Sequence, residues 1–133
     1  GLVATLGTFY AQTGMITLEA TVAAISNGAV SCALLAVNNI RDIEGDTKAG
    51  KLTLAVRIGD TRARRFYMLL IFIAIFSGFI VTILASLSVV LAIPLLSQIR
   101  YLKERDLIQT LGATGRFQLL LGALISIGAI INL

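Results

Sequence analysis

Residues 38–59 read NNIRDIEGDTKAGKLTLAVRIG and interrupt an otherwise apolar chain of 133 residues. The stretch holds three acids and four bases, whereas residues 20–37 carry no formal charge. Over the whole chain, 57% of residues are hydrophobic, 14% are charged and the mean hydropathy is +0.93. In soluble domains about 25% of residues are charged. The sequence therefore predicts an all-α membrane protein whose charged stretch lies outside the lipid.

The apolar segments predict a transmembrane helical bundle of about five spans. A hydrocarbon core of about 30 Å needs about 20 apolar residues in helical conformation. The run of residues 66–99 would form a single helix of about 51 Å. We therefore expect it to turn back near Ser86–Ser88 and to bend at Pro94. The five predicted spans are residues 1–11, 20–38, the two halves of 66–99, and 117–133.

The basic residues predict the orientation of the bundle. All 11 Lys and Arg lie in residues 38–65 and 100–116, while residues 12–19 and the expected turn at Ser86 contain none. With five spans, both basic segments fall on the same side of the membrane. Cytoplasmic loops carry the excess of Lys and Arg in membrane proteins. We therefore expect residues 38–65 to form a cytoplasmic, aspartate-rich loop.

Composition also limits the available chemistry. The chain has no His and a single cysteine, Cys32, so it has no histidine base and no internal disulfide. Cys32 is expected to be a small packing residue, and Gly122 with Ser126 to allow close helix packing. Gly1 opens an apolar segment without initiator Met, basic region or cleavage site, which suggests a fragment of a longer protein.

Asn38, Asp42 and Asp46 are spaced by four residues within the charged stretch. They share one face if the preceding helix continues beyond the membrane. Two carboxylates at this spacing repel each other unless a cation lies between them. Mg²⁺ is typically held by one or two carboxylates together with substrate phosphates. The spacing is therefore compatible with a magnesium-diphosphate site.

Three bases, Arg41, Lys48 and Lys51, flank these acids. They can neutralise the charge that grows on a diphosphate leaving group. The alternative is an ordinary cytoplasmic loop, in which the bases set the topology and acids such as Glu44 keep it soluble. Spacing alone leaves both interpretations open.

Taken as a whole, residues 38–59 resemble the second aspartate-rich motif of the UbiA superfamily of intramembrane aromatic prenyltransferases. The pattern NNxRDxxxDxxxGKxTLAVRxG is most similar to the 1,4-dihydroxy-2-naphthoate polyprenyltransferases of menaquinone and phylloquinone synthesis. Residues 113–122, ATGRFQLLLG, resemble the family run ATARLHLLFG near the start of the last helix, with Gln118 where the family often has His.

The resemblance implies a bundle of nine helices, of which residues 1–133 would be the carboxy-terminal part of a single domain. It implies Mg²⁺-dependent transfer of a polyprenyl group from its diphosphate to 1,4-dihydroxy-2-naphthoate, with decarboxylation. The family's first aspartate-rich motif lies outside this chain. The implied partners are thus the two substrates, membrane lipid and a missing amino-terminal half, without nucleic acid, and the chain alone is expected to be inactive.

Carried onto this sequence, the resemblance implies that Asp42 and Asp46 bind Mg²⁺ and, with Lys51, are catalytic. The implied substrate-binding residues are Asn38, Asn39, Arg41, Lys48 and Arg116. Arg116 would pair with the naphthoate carboxylate, although it can also be an arginine that extends to the interface. Tyr67 is expected in the interfacial aromatic belt.

Two alternatives stay open at this point. One is a related enzyme with another acceptor, such as 4-hydroxybenzoate, homogentisate or a chlorophyllide. The other is a non-enzymatic membrane segment, for example part of a transporter whose acidic loop binds cations. The expected location is the inner or plasma membrane of a bacterium, or a plastid-type membrane.

Overall fold

The computed structural model describes residues 1–101 and 107–131, and this part of the chain is helical without any strand. The expectation of an all-α fold is confirmed. The elements are α1 (Leu2–Thr13), α2 (Leu18–Arg41), α3 (Ile43–Lys48), α4 (Leu54–Ile58), α5 (Asp60–Val81), a 3-10 helix (Ile83–Ser88), α6 (Val89–Gln98) and α7 (Leu107–Ile131).

Three of these helices, α2, α5 and α7, are long and apolar enough to cross a membrane. Residues 83–98 form a shorter apolar helical segment, and α1 has 12 residues. At 1.5 Å per residue α1 is about 18 Å long, less than the thickness of a hydrocarbon core. The helical membrane bundle is confirmed, and three of its helices in the described residues are full-length candidate spans.

Local sequence explains where α1 ends and α2 begins. Gly14 adopts a left-handed conformation with φ 70°, and its N–H group donates to the carbonyl of Tyr10. Thr17 caps α2, because its Oγ1 accepts a hydrogen bond from the N–H group of Ala20 at 3.1 Å. A hydroxyl at this position satisfies one of the donors that a helix start leaves free.

The core lies where α2 packs against α5 and α7. Its fully buried side chains include Ala33 and Val37 of α2, Ala74 of α5 and Phe117 of α7. Ser26 of α2 donates a hydrogen bond of 2.7 Å to the carbonyl of Ala74. Small side chains allow helix backbones to approach closely in lipid, where packing rather than hydrophobicity drives association.

The structure corrects three expected boundaries. The aspartate-rich loop of residues 38–65 is largely helical, since it contains the end of α2, all of α3 and α4, and the start of α5. The turn after α5 begins at Thr82, in extended conformation, and not at Ser86–Ser88, which lie in the 3-10 helix. The last helix begins at Leu107, ten residues before the expected Phe117. Pro94 lies inside the ten-residue helix α6.

Predictions about small residues are also corrected. A Cβ atom at Gly122 would meet nothing within 4 Å, whereas one at Gly128 would overlap the side chain of Thr82. Among residues 1–101 and 107–131, the close approach on α7 is therefore at Gly128 and not at Gly122 and Ser126. Cys32 is exposed in the part of the chain that the structure describes, so it is not the buried packing residue that was expected.

The side chains of Tyr67 and Arg64 join α5 to other helices. Tyr67 is fully buried, with its hydroxyl 2.7 Å from Oγ1 of Thr114, and so does not lie in an exposed aromatic belt. At the start of α5, Arg64 pairs with Asp60, with Nε 2.8 Å from the carboxylate. Arg64 also donates to the carbonyl of Ile99 and so joins the start of α5 to the end of α6.

Candidate functional site

The acidic residues lie where α2 leaves the membrane bundle. The N–H group of Asp42 donates to the carbonyl of Asn38 at 3.1 Å, and that of Asp46 donates to the carbonyl of Asp42 at 2.8 Å. Asp42 has φ −95° and ψ 6°, so the chain kinks there, yet the four-residue register continues. Asn38, Asp42 and Asp46 therefore follow one another along one side of the α2–α3 junction, as the spacing suggested.

The end of α3 brings a base back to these acids. Gly50 has φ 70°, a left-handed conformation that a residue without Cβ adopts at little cost. The chain reverses there, and the N–H group of Lys51 donates to the carbonyl of Asp46 at 2.8 Å. Nζ of Lys51 lies 3.7 Å from Oδ1 of Asp46. Gly50 thus places Lys51 beside the second aspartate.

Arg41 holds the first aspartate at two points. Its Nε and Nη2 atoms lie 2.7 and 2.9 Å from the two carboxylate oxygens of Asp42. The hydrogen bonds and positive charge of this guanidinium lower the pKa of Asp42 below its ordinary value of 3.8. Asp42 is therefore ionised at neutral pH and is able to ligate a cation.

These residues line an open polar cleft of about 560 Å³, here called the acidic cleft. Its lining residues are Arg41, Asp42, Glu44, Gly45, Asp46, Lys48 and Lys51. The lining holds three acids and three bases, so their formal charges cancel. Nζ of Lys48 lies 2.5 Å from Oε1 of Glu44, and this pair is exposed. The carboxylate of Asp46 is more enclosed, with 14% of its side chain accessible.

The acidic cleft fits part of a metal site. No group of three or more His, Cys, Asp or Glu side chains that could hold an ion occurs in residues 1–101 and 107–131. A site made of protein ligands alone is therefore not formed by the described residues. Two carboxylates one turn apart are nevertheless the donor set with which Mg²⁺ is held when phosphates complete its coordination.

Not every residue from the resemblance meets in this cleft. Asn38 precedes Asp42 by one turn but is not among the lining residues. Asn39 instead lines a separate, largely apolar pocket of about 240 Å³ between α2, α4 and α5. Arg116 is exposed on α7 nine residues after its first residue, Leu107, and does not line the cleft. Neither Asn39 nor Arg116 is thus part of the acidic cleft in the described structure.

A polar cluster deeper in the bundle was not predicted as a site. Gln118 of α7 donates from Nε2 to Oδ1 of Asn27 at 2.9 Å and to Oγ of Ser31 at 3.1 Å. Asn27 donates from Nδ2 to Oγ1 of Thr5 at 3.0 Å. The sequence feature that could have indicated this cluster is the pair Asn27 and Ser31, which lie four residues apart within an uncharged span.

The chain matches the UbiA prenyltransferase family over residues 1–128. It is 35% identical to the "1,4-dihydroxy-2-naphthoate octaprenyltransferase" of Haemophilus influenzae, over 99% of this chain and 46% of that protein. The Mycobacterium tuberculosis protein of the same name is 46% identical over 56% of this chain and 25% of its own length.

A third relative of that name, from Escherichia coli, is 34% identical over 80% of this chain and 37% of its own length. This chain thus spans less than half the length of these curated relatives. No solved structure matches it. The family match covers nearly the whole chain and includes both the acidic cleft and most of α7. The chain belongs to the UbiA prenyltransferase family.

Proposed function

We propose that this chain is the carboxy-terminal part of a membrane prenyltransferase that transfers a polyprenyl group to 1,4-dihydroxy-2-naphthoate. The observation that carries the proposal is the acidic cleft, in which two aspartates and three bases lie together at the end of the apolar helix α2. The printed names of the relatives support the choice of acceptor. The product would be a demethylmenaquinol, because the reaction also removes the carboxylate of the acceptor.

Each substrate part has a chemically suitable place. A diphosphate needs positive charge, which Arg41, Lys48 and Lys51 supply at the cleft. A polyprenyl chain needs apolar surroundings, which lie below the cleft along α2 and its neighbours. The junction of α2 and α3 is where the charged head and the apolar tail of one substrate would meet.

Asp42 and Asp46 would hold Mg²⁺, with phosphate oxygens and the family's first aspartate-rich motif as further ligands. When bound, the ion supplies charge neutralisation for the diphosphate leaving group. Arg41 is placed to exchange its bond to Asp42 for a bond to phosphate. Lys51 beside Asp46 would add positive charge on the same side of the leaving group.

The proposal extends to location and to the limits of this chain. The clustered bases at the end of α2 favour a cytoplasmic cleft in a bacterial inner membrane, by the positive-inside rule. Residues 1–133 by themselves are expected to give no turnover, because they lack the first aspartate-rich motif. Measurable demethylmenaquinol formation by residues 1–133 alone would refute that expectation.

The test is an assay of the complete gene product in membrane vesicles. It combines 1,4-dihydroxy-2-naphthoate with polyprenyl diphosphates of different lengths, with Mg²⁺ or with EDTA. We expect Mg²⁺-dependent release of CO₂ and a prenylated naphthoquinol. Parallel reactions with 4-hydroxybenzoate and homogentisate test the related acceptors. Turnover of one of these but not of the naphthoate would overturn the proposed acceptor, and turnover in EDTA would overturn the metal dependence.

A further inference from the structure

The cluster of Thr5, Asn27, Ser31 and Gln118, here called the Gln118 cluster, joins α1, α2 and α7 through side-chain hydrogen bonds of 2.9–3.1 Å. All of its members are half-buried. The cluster lies in the middle of α2, one of the three helices able to span a membrane. Polar side chains at this depth are costly unless their hydrogen-bonding groups are satisfied.

The donors in the cluster determine how the Gln118 amide is oriented. The hydroxyl of Ser31 donates to the carbonyl of Asn27 at 2.9 Å, so its oxygen can only accept from Gln118. Asn27 donates from Nδ2 to Thr5, which leaves Oδ1 of Asn27 to accept from Gln118. Both contacts therefore require the N–H groups of Gln118, and its carbonyl oxygen Oε1 points elsewhere.

This carbonyl oxygen is the open acceptor of the cluster. Among residues 1–101 and 107–131, no donor contacts Oε1 of Gln118. In the same residues the only fully buried side-chain oxygen without a hydrogen-bond partner is Oγ1 of Thr110. The unpaired Oε1 of Gln118 is therefore not fully buried. Both N–H groups of Gln118 already link the helices, so Oε1 is not required for that link. A ligand that brings a donor would satisfy this acceptor inside the membrane.

The cluster and the acidic cleft lie along the same side of α2. Asn27, Ser31, Asn38 and Asp42 are separated by four, seven and four residues, the spacing of one helix face. At 1.5 Å per residue, Ser31 and Asn27 lie about 16.5 and 22.5 Å below Asp42. If a prenyl diphosphate binds with its phosphates in the acidic cleft and its tail in the membrane, its reacting carbon lies on the membrane side of the cleft. The acceptor ring would then lie on the same side, towards the cluster.

We propose that Oε1 of Gln118 accepts a hydrogen bond from a ring hydroxyl of the aromatic acceptor and so selects for a hydroxylated ring. This inference rests on the proposed function. The ligand class is a flat aromatic ring with at least one hydroxyl donor, and the acceptor proposed above carries two hydroxyls. A ring without a donor leaves Oε1 unpaired in an apolar environment and binds more weakly.

The experiment uses the complete gene product in vesicles and changes the ligand first. The two monomethyl ethers of 1,4-dihydroxy-2-naphthoate each lack one hydroxyl donor and are measured as competitive inhibitors. For the unaltered protein we expect one ether to bind about tenfold more weakly than the other, the effect of losing one hydrogen bond. Equal inhibition by both ethers would overturn the proposal without requiring any variant to fold.

The variant Gln118→Met keeps the side-chain length and removes both amide groups. We expect a KM for the naphthoate about tenfold higher, an unchanged KM for polyprenyl diphosphate, and loss of discrimination between the two ethers. Ser126→Ala is the matched control on α7, because Ser126 is exposed and bonds only the carbonyl of Gly122. If Gln118→Met discriminates between the ethers as the unaltered protein does, the hydroxyl does not bind Gln118.

These experiments distinguish a failure of the Gln118 inference from a failure of the proposed function. Turnover of the naphthoate by the unaltered protein tests the reaction, whatever Gln118 does. A purely structural role of Gln118 would lower the thermal midpoint and shift both KM values together, with ether discrimination retained. Normal turnover combined with retained discrimination in Gln118→Met therefore overturns the inference alone.

Discussion

Arg41 and Asp42, adjacent in sequence, form a two-point ion pair in which Nε lies 2.7 Å from Oδ1 and Nη2 lies 2.9 Å from Oδ2. Both oxygens of this carboxylate engage the guanidinium, whereas Asp46 has a longer contact of 3.7 Å with Lys51. The two aspartates are therefore unequal. We expect Asp42 to exchange Arg41 for a cation when a diphosphate arrives, while Asp46 changes its surroundings less.

Replacing Arg41 by Gln should raise the pKa of Asp42 towards its ordinary value of 3.8, because the hydrogen bonds and charge that lower it are lost. Since the pKa is lowered in the folded protein, the ion pair contributes stability above pH 3.8, and this contribution is lost as the pH falls through the folded pKa. Carboxyl carbon NMR of aspartate-labelled protein measures the shift. We also expect the KM for polyprenyl diphosphate to rise about tenfold.

Arg57→Gln is the matched control, since Arg57 is exposed on α4 and does not line the acidic cleft. It should leave the pKa of Asp42 and the KM unchanged. An unaltered Asp42 titration in Arg41→Gln would show that the ion pair does not persist in solution.

Asp42→Asn and Asp46→Asn should each reduce Mg²⁺-dependent prenyl transfer by the complete protein at least about a hundredfold, because even partners outside the ligand shell of a metal commonly contribute 10- to 100-fold. Each change removes a charge without changing side-chain size. Membrane insertion should stay intact, because both side chains lie beyond the end of α2. Radiolabelled prenyl transfer at saturating Mg²⁺ measures the loss.

Asp60→Asn supplies the comparison, because Asp60 starts α5 and pairs with Arg64 outside the acidic cleft. We expect it to retain activity within about threefold, since the Asp60 side chain is 50% accessible and an ion pair in contact with solvent contributes little. Full turnover in both cleft variants would place the metal elsewhere.

The register of the acidic cleft was predictable from sequence because four-residue spacing survives the kink at Asp42. The helices inside the expected loop were harder to predict. α3 and α4 have six and five residues, too few for a clear apolar period, although Gly50 and Gly59 mark their ends.

The contacts between spans were not predictable from the sequence. In a membrane helix both the buried and the lipid-facing sides are apolar, so periodicity does not reveal which side packs. This is why Tyr67 was expected at the interface and Gly128 was not recognised as a contact. The hydrogen bond between Gln118 and Asn27 joins residues 91 positions apart, which no local pattern encodes.

Tyr67→Phe should lower the free energy of unfolding by about 1 kcal/mol, the usual net contribution of a hydrogen bond. Oγ1 of Thr114 donates to the carbonyl of Thr110 at 2.7 Å, so the Tyr67 hydroxyl is the donor in its 2.7 Å contact with Thr114. Thr114→Val should cost more, about 1–3 kcal/mol, because it leaves that buried donor without a partner. Unfolding in mixed micelles with increasing SDS measures both.

The double variant Tyr67→Phe, Thr114→Val should be less destabilised than the sum of the two single changes, since residues in contact couple. Tyr101→Phe is the control and should be neutral, because the Tyr101 side chain is exposed. Additive single changes would mean that the two hydroxyls do not interact.

Gly128→Ala should destabilise the contact between α7 and the residue that follows α5. The added methyl group would overlap the side chain of Thr82, which sits in extended conformation between α5 and the 3-10 helix. Backbone must therefore shift, and overpacking of this kind typically costs about 1–3 kcal/mol. Gly122→Ala on the same helix has open space around the new methyl group and should be neutral or slightly stabilising, since Ala has the higher helix propensity. Thermal midpoints of the two variants in the same detergent give the comparison.

Gly128→Ala combined with Thr82→Ser, which removes one of the overlapping atoms, should recover part of the loss. If Gly128→Ala and Gly122→Ala unfold at the same temperature, α7 does not approach Thr82 as closely as the structure indicates.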